Sequence, residues 1–141
     1  MYSVIRYHDI SCGHRVYGHE SKCAHLHGHN YRIHFECTAK GLDALGRVID
    51  FSCIKAMLCE WLETNWDHRM LIWDEDPCLP FLKKHDSAVV SVSFNPTAEN
   101  IAWYLVEVVG PEQLDGTGVT LRSCTVQETA KCSAKYTKGD L

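Results

Sequence analysis

Two histidines separated by one glycine, His27 and His29, precede a segment in which apolar and polar residues alternate. The alternation from Tyr31 to Lys40 is typical of a strand with one buried face. The same parity places both imidazoles on one face, where they can converge on one metal ion. His14 ends an earlier segment rich in β-forming residues and is the candidate third ligand. Three neutral imidazoles and one open position are typical of a catalytic zinc site, because structural sites normally have four protein ligands.

A His-x-His pair also occurs by chance, and a polar strand edge without an ion is the alternative interpretation. Cys23, four residues before His27, has two interpretations of its own. It could be a fourth zinc ligand that closes the site, or a thiol held near the ion that acts as a base. The spacing in the sequence does not choose between them.

Other polar residues could take part in proton transfer or in substrate binding. Asp67 precedes His68 after a predicted helix, where the carboxylate could orient the imidazole, although capping and surface exposure explain such a pair equally well. Glu128, near the end of a predicted strand, could accept two N–H bonds from a planar guanidine-like edge, or could be merely solvated. Thr97 is expected to cap a helix that begins at Ala98.

Composition and length predict one domain, residues 1–141, in a cytoplasmic protein. A domain of this size buries roughly 68–70% of its unfolded surface and needs no disulfides. The eight cysteines include no Cys-x-x-Cys pair, and the first residues lack the apolar run of a signal peptide, so we expect reduced thiols. The longest apolar run is far shorter than the ~20 residues that span a bilayer. The formal charge of −4, without a basic cluster, argues against nucleic-acid binding.

The alternation and capping signals predict an α+β fold. The expected strands cover residues 2–12, 27–40, 88–94 and 118–129, the expected helices cover residues 51–65 and 98–109, and residues 132–136 form a final extended piece. Both helices are expected to cover one face of a four-stranded antiparallel sheet. The stretch up to His85, which contains Pro77 and Pro80, is expected to be irregular. A shift in apolar parity between Leu121 and Cys124 indicates a β-bulge.

Several motifs occur together, and their order along the chain is similar to that in the sequences of one enzyme family. They are Ser11-Cys12-Gly13-His14, Cys23-x-x-x-His27-Gly28-His29-Asn30-Tyr31, Val48-Ile49-Asp50-Phe51, Asp67-His68, Pro96-Thr97-Ala98-Glu99-Asn100-Ile101-Ala102 and Val126-Gln127-Glu128-Thr129. Over nearly its whole length the chain resembles the 6-pyruvoyltetrahydropterin synthase and 6-carboxytetrahydropterin synthase family. The resemblance implies a tunnelling fold, in which three subunits close their sheets into a barrel and two trimers stack into a homohexamer. It also implies active sites at subunit interfaces.

The resemblance further implies the roles of individual residues. His14, His27 and His29 would bind Zn²⁺, and Cys23 would accept a proton from carbon.

Two further groups have implied roles. Asp67 and His68 would assist proton transfer across a subunit interface. Glu128 would anchor the pterin ring, helped by Thr97 and the backbone near Ala98.

The substrate implied by the resemblance is 7,8-dihydroneopterin triphosphate. Pyruvoyl enzymes keep its three-carbon side chain, whereas carboxy enzymes release acetaldehyde on the route to queuosine and related deazapurines. The short segments from His14 to Cys23 and from Cys23 to His27 resemble the carboxy branch, so we expect 6-carboxy-5,6,7,8-tetrahydropterin as the product. The alternatives are the pyruvoyl product, a non-catalytic zinc module, a pterin-binding subunit without turnover, and a zinc hydrolase. A hydrolase is the weakest of these, because no helical zinc motif is present.

The sequence departs from the family pattern in four places, of which the first is Gly13, where the family usually has alanine. Trp66 stands where leucine is usual, and Ile72 where asparagine is common. The segment Asp74-Glu75-Asp76-Pro77 is an insertion without an assigned role; it could cover part of the site or lie on the surface, and we expect the second.

Overall fold

The computed structural model describes residues 1–139, and its centre is a six-stranded mixed sheet. The strands are β1 (Ser3–His14), β2 (His27–Ala39), β3 (Met70–Trp73), β4 (Val89–Val92), β5 (Val119–Thr129) and β6 (Cys132–Thr137). Their order across the sheet is β4-β3-β1-β2-β5-β6. The α+β class is confirmed, but the expected four-stranded antiparallel sheet is wrong, because β3 pairs in parallel with both β1 and β4.

The error lies in the stretch that was expected to be irregular. β3 is a four-residue apolar run without alternation, and such a run carries no periodic signal. A short helix, Leu79–His85, then returns the chain to β4, because parallel neighbours require a crossover connection. Pro80 does not break this helix, since it lies in the first turn, where its missing N–H has no intrahelical partner to lose.

The helices are α1 (residues 51–65), α2 (Leu79–His85) and α3 (residues 98–113). The two predicted N-caps are confirmed: the Asp50 side chain accepts the N–H of Ser52, and the Thr97 side chain accepts the N–H of Asn100. None of the helices in the described part of the chain is long and apolar enough to cross a membrane.

One hydrophobic core joins α1 and α3 to the same face of the sheet, as predicted. Alternate residues of β2 are fully buried there, including Ile33 and Phe35, and they share the core with Leu58 of α1 and Leu105 of α3. Burial of each such side chain contributes about 1.5–3 kcal/mol to folding. We call the helix-covered side of the sheet the inner face and the opposite side the outer face.

The register of β1 against β2 brings the candidate ligands together. His14 lies directly opposite His27, and Cys12 lies opposite His29. Gly28 pairs with Gly13 between these positions, and a Cβ atom on Gly28 would lie 3.1 Å from the Cys12 carbonyl oxygen. The predicted bulge is also confirmed, because the pairing of β2 with β5 shifts between Glu36 and Cys37.

Candidate metal and substrate site

Three imidazoles converge on the inner face at one end of the β1–β2 hairpin. The nitrogen atoms that His14, His27 and His29 offer to a metal all lie within 4.8 Å of one another. The ring centroids are 4.5 Å apart for His14 and His27, 5.1 Å for His14 and His29, and 4.9 Å for His27 and His29. The predicted grouping of these side chains is therefore what the fold produces.

Hydrogen bonds fix which nitrogen of two of these rings is free. The Nδ1–H of His14 donates to the Pro96 carbonyl oxygen at 2.6 Å, and that of His27 donates to the His25 carbonyl oxygen at 2.7 Å. Because a carbonyl can only accept, each Nδ1 carries a proton, and in the neutral ring Nε2 is then the nitrogen with the free lone pair. This is the tautomer that a metal ion requires when it binds through Nε2.

Burial favours the neutral form of two rings in the cluster. Desolvation lowers the pKa of His14 to about 4; the Pro96 hydrogen bond opposes this change, and the nearby His27 and His29 add to it. Burial also lowers the pKa of His29, although the Glu128 carboxylate opposes the shift. A neutral imidazole is the form that binds a metal, so burial favours the metal-binding form of His14 and His29 near neutral pH.

Two buried nitrogen atoms in the cluster lack a protein partner. They are Nε2 of His14, in a residue only 1% exposed, and Nε2 of His29. An unpaired polar atom in the interior costs about 1–3 kcal/mol, and a divalent cation at the centre of the cluster would remove this cost. The residues therefore fit a three-histidine metal site with an open position.

Cys23 lies near this cluster but does not join it. Within the described residues, the group whose ligand atoms lie within 4.8 Å of one another contains the three histidines and no cysteine. Cys23 is half-buried in the short helical turn Lys22–Ala24, and its backbone carbonyl accepts the N–H of Val16. This position favours a thiol beside the ion over a fourth ligand.

A cavity of about 560 Å³ opens next to the cluster. Five predicted site residues contribute to its wall: His14, Cys23, Thr97, Ala98 and Glu128. The Glu128 carboxylate lies 3.9 Å from Nε2 of His29, so Glu128, which lines the cavity, also lies beside the histidine cluster. A volume of this size is in the range of small-molecule sites.

Asp67 and His68 lie elsewhere, on the outer face. The Asp67 carboxylate accepts the backbone N–H of Ser11 at 2.9 Å and the Nδ1–H of His68 at 2.9 Å. Burial favours the neutral acid, but these hydrogen bonds outweigh it and lower the pKa of Asp67. The His68 side chain is 79% exposed, and this residue has a φ of 59°, in the left-handed region that non-glycine residues rarely adopt.

A second cavity of about 620 Å³ on the outer face is lined by Asp67 and His68 together with outward-facing residues of β1, β2 and β5, including Ser11, Asn30 and Gln127. The sheet separates it from Cys23. One chain therefore does not bring all the predicted catalytic residues into one cavity.

The unusual Trp66 stabilises the turn that carries this pair. It is buried, makes a T-shaped contact with Trp61 at 5.0 Å, and stacks on Tyr104 at 5.9 Å. Ile72 is also fully buried. Trp66 and Ile72, which both depart from the family pattern, are thus packed in the interior.

Sequence reasoning missed His19, which also lines the inner cavity. Its Nδ1 accepts the N–H of Ser21 at 2.9 Å, so a neutral ring carries its proton on Nε2. A histidine in a polar loop gives no signal in the sequence, because only the folding of the loop towards the sheet brings it to the cavity.

Comparison with known proteins is consistent with this geometry. A model of the 6-pyruvoyl tetrahydropterin synthase family matches residues 3–139. The chain is 33% identical over 126 residues to a 6-carboxy-5,6,7,8-tetrahydropterin synthase of Rickettsia bellii, covering 88% of this chain and 91% of that relative. It is 36% identical over 127 residues to a probable 6-carboxy-5,6,7,8-tetrahydropterin synthase of Halobacterium salinarum, covering 89% and 79%.

The fold is also shared with a solved structure. A crystal structure of an uncharacterised protein from Wolinella succinogenes superimposes with a TM-score of 0.87 at 24% identity, covering 98% of each chain.

The family model and the two relatives span most of this chain. The chain therefore belongs to the 6-pyruvoyl tetrahydropterin synthase family of enzymes.

Proposed function

We propose that this protein is a single-domain, zinc-dependent 6-carboxy-5,6,7,8-tetrahydropterin synthase. Its substrate is 7,8-dihydroneopterin triphosphate, which with one water gives the carboxypterin, acetaldehyde and triphosphate. The observation that carries the proposal is the convergence of the three imidazoles beside a cavity that is also lined by Cys23 and Glu128.

Zinc suits the donor set, because His14, His27 and His29 present three imidazole nitrogens and leave a position for substrate. Bound there, the ion would supply Lewis acidity to the side-chain hydroxyls of the pterin. The chain orients the ligands: the Pro96 and His25 carbonyls hold two of the rings in place.

Recognition of the pterin ring falls to Glu128 and the start of α3. A carboxylate can accept two parallel N–H bonds from the planar amino-pyrimidine edge, and an ionised acceptor makes such bonds stronger. Thr97 and Ala98 lie on the same cavity wall. With the ring held there, the three-carbon side chain would extend towards the histidines.

Proton removal falls to Cys23. Its thiolate would take a proton from a side-chain carbon, while the bound pterin ring accepts the developing negative charge. Because Cys23 lies outside the ligand group, the sulfur remains free for this role.

Asp67 and His68 would serve the site of a neighbouring subunit. His68 is exposed on the outer face, across the sheet from Cys23 of its own chain. Under this proposal a second copy is therefore needed for the pair to meet a Cys23 thiol. The proposed assembly is a homohexamer of two trimers, which would also cover the unpaired edges of β4 and β6.

The carboxy branch is favoured over the pyruvoyl branch because both relatives described above carry the carboxy name. The test is incubation of the purified, zinc-loaded protein with 7,8-dihydroneopterin triphosphate and identification of the products by mass. Acetaldehyde with a carboxypterin is the expected result. A pyruvoyl product would move the protein to the other branch, and intact substrate would contradict the proposal.

A further inference from the structure

The segment inserted after β3, residues 74–77, is not a purely surface feature. Asp76 is buried, and its side chain is fully shielded from solvent. Its Oδ2 accepts the Nε–H of Arg15 at 2.8 Å, and its Oδ1 accepts the backbone N–H of Cys78 at 2.9 Å. The expectation that the whole insertion lies on the surface is therefore wrong for this residue.

Arg15, the partner of Asp76, lies next to the histidine cluster in the sequence. Arg15 directly follows the proposed metal ligand His14 and begins the loop of residues 15–26, which we call the Cys23 loop. A buried carboxylate is costly when it loses its partner, so Asp76 ties the first residue of the loop to one location.

The rest of the Cys23 loop is attached to the same region. Asn95 binds Tyr17 twice, since its Oδ1 accepts the Tyr17 N–H at 3.1 Å and its Nδ2–H donates to the Tyr17 carbonyl at 2.9 Å. The Tyr17 ring also lies 6.3 Å from that of Trp73 at the end of β3.

A further hydrogen bond connects the start of the loop to Cys23. The N–H of Val16, next to Arg15, donates to the Cys23 carbonyl at 2.8 Å. The chain of contacts thus runs from the buried Asp76 through Arg15 and Val16 to Cys23.

We propose that the inserted segment, through the buried Asp76–Arg15 ion pair, positions the Cys23 loop beside the three-histidine cluster. The kinetic part of this inference depends on the proposed function, in which Cys23 removes a proton. Asp76 touches no substrate and acts through Arg15, so it is a positioning residue.

The test is Asp76→Asn, which keeps the shape and an acceptor for the Cys78 N–H but removes the charge that holds Arg15. Amide hydrogen exchange in residues 15–25 should accelerate at least about tenfold, whereas exchange in the paired parts of β1 and β2 should be unchanged. With the pterin substrate, kcat should fall about 10- to 100-fold because a small displacement of a catalytic group has an effect of this size. KM should change less than about threefold, because Glu128 and Thr97 lie outside the loop.

A matched control is Asp43→Asn. Asp43 accepts the Nε–H of Arg47 at 2.8 Å and two backbone N–H groups, in a surface loop away from the site. Its substitution should leave exchange in residues 15–25 and kcat within about twofold of the native values.

A second variant covers the case in which Asp76→Asn does not fold. Arg15→Met with Asp76→Asn removes both charges, so no unpaired charge is left in the interior, and it keeps an acceptor for the Cys78 N–H. It should show the same faster exchange in residues 15–25 and the same fall in kcat.

Exchange and kcat within twofold of native in either folded variant would overturn the proposal, as would a uniform rise in exchange along the whole chain. If the native protein shows no pterin turnover, the proposed function fails, and the exchange comparison still decides whether the ion pair holds the loop.

Discussion

The two faces of the β1–β2 hairpin carry histidines in opposite situations. On the inner face His14 is 1% exposed and belongs to a group of three imidazoles supplied by one chain. On the outer face the His68 side chain is 79% exposed, and its Nδ1–H donates to the Asp67 carboxylate. A single chain therefore assembles the three-histidine group, whereas under the proposed function the Asp67–His68 pair acts only beside a second molecule.

The largest effect is expected from removing an inner-face ligand. His29→Ala should abolish zinc binding and lower turnover by more than about 10³-fold, since a catalytic metal contributes several kcal/mol to the transition state. Metal content by mass spectrometry and product formation measure the two effects. The control is His34→Ala on the outer face of β2, which should retain the metal; equal metal loss in both variants would contradict the three-histidine site.

Cys23→Ala tests the distinction between ligand and base. Turnover should fall about 10²- to 10⁴-fold, as expected for loss of a general base, with one zinc per chain retained. The control is Cys132→Ala, because Cys132 lines the same cavity and should be dispensable. Loss of zinc from Cys23→Ala would instead identify the closed site of a non-catalytic zinc module.

A mixing experiment tests whether the outer face serves another subunit. Cys23→Ala and His68→Ala should each be inactive alone, because each lacks one half of the proton-transfer system. Unfolded and refolded together in equal amounts, they should regain up to about one quarter of native activity through randomly assorted interfaces. Absence of recovery, with oligomers formed normally, would place both groups in the site of one chain.

The inner-face cluster should also make the metal-free protein sensitive to acid. The pKa of His14 is about 4 in the folded state against 6.5 for an ordinary histidine, because the ring is buried. Above pH 6.5 the His14 ring is neutral in both the folded and the unfolded state. As the pH falls towards 4, only the unfolded state gains the proton. The free energy of unfolding therefore falls by about 1.4 kcal/mol per pH unit, about 3 kcal/mol in all. Urea unfolding of chelator-treated protein across this range measures the loss. In His14→Gln this dependence of the unfolding free energy on pH should disappear. An unchanged dependence would exclude His14 as its source.

The smallest effect is expected at the strained backbone of the outer face. His68 has a φ of 59°, which costs an L-residue about 1–2 kcal/mol and glycine little. His68→Gly should therefore leave the unfolding free energy unchanged or raise it by up to about 1 kcal/mol, while activity is lost. A clear loss of stability would mean that the His68 imidazole has a structural role. The contrast between the buried histidines of the inner face and the exposed His68 of the outer face would then be smaller.

Local signals in the sequence predicted much of the molecule. The alternation along β2, the N-caps Asp50 and Thr97, and the bulge near Arg122 were all found where they were expected. These features depend on neighbours in the chain, whose geometry is set by backbone chemistry. β3 and α2 were missed because a short apolar run and a helix without buried residues carry no periodic signal.

The sequence alone determined that His27 and His29 share a face, because a strand alternates its side chains whatever surrounds it. Only the tertiary structure decided that His14 lies opposite His27, that Asp76 is buried against Arg15, and that Asp67 and His68 lie across the sheet from Cys23. Strand register and buried ion pairs join residues far apart in the chain. They are selected by the packing of the whole core, and no local pattern encodes them.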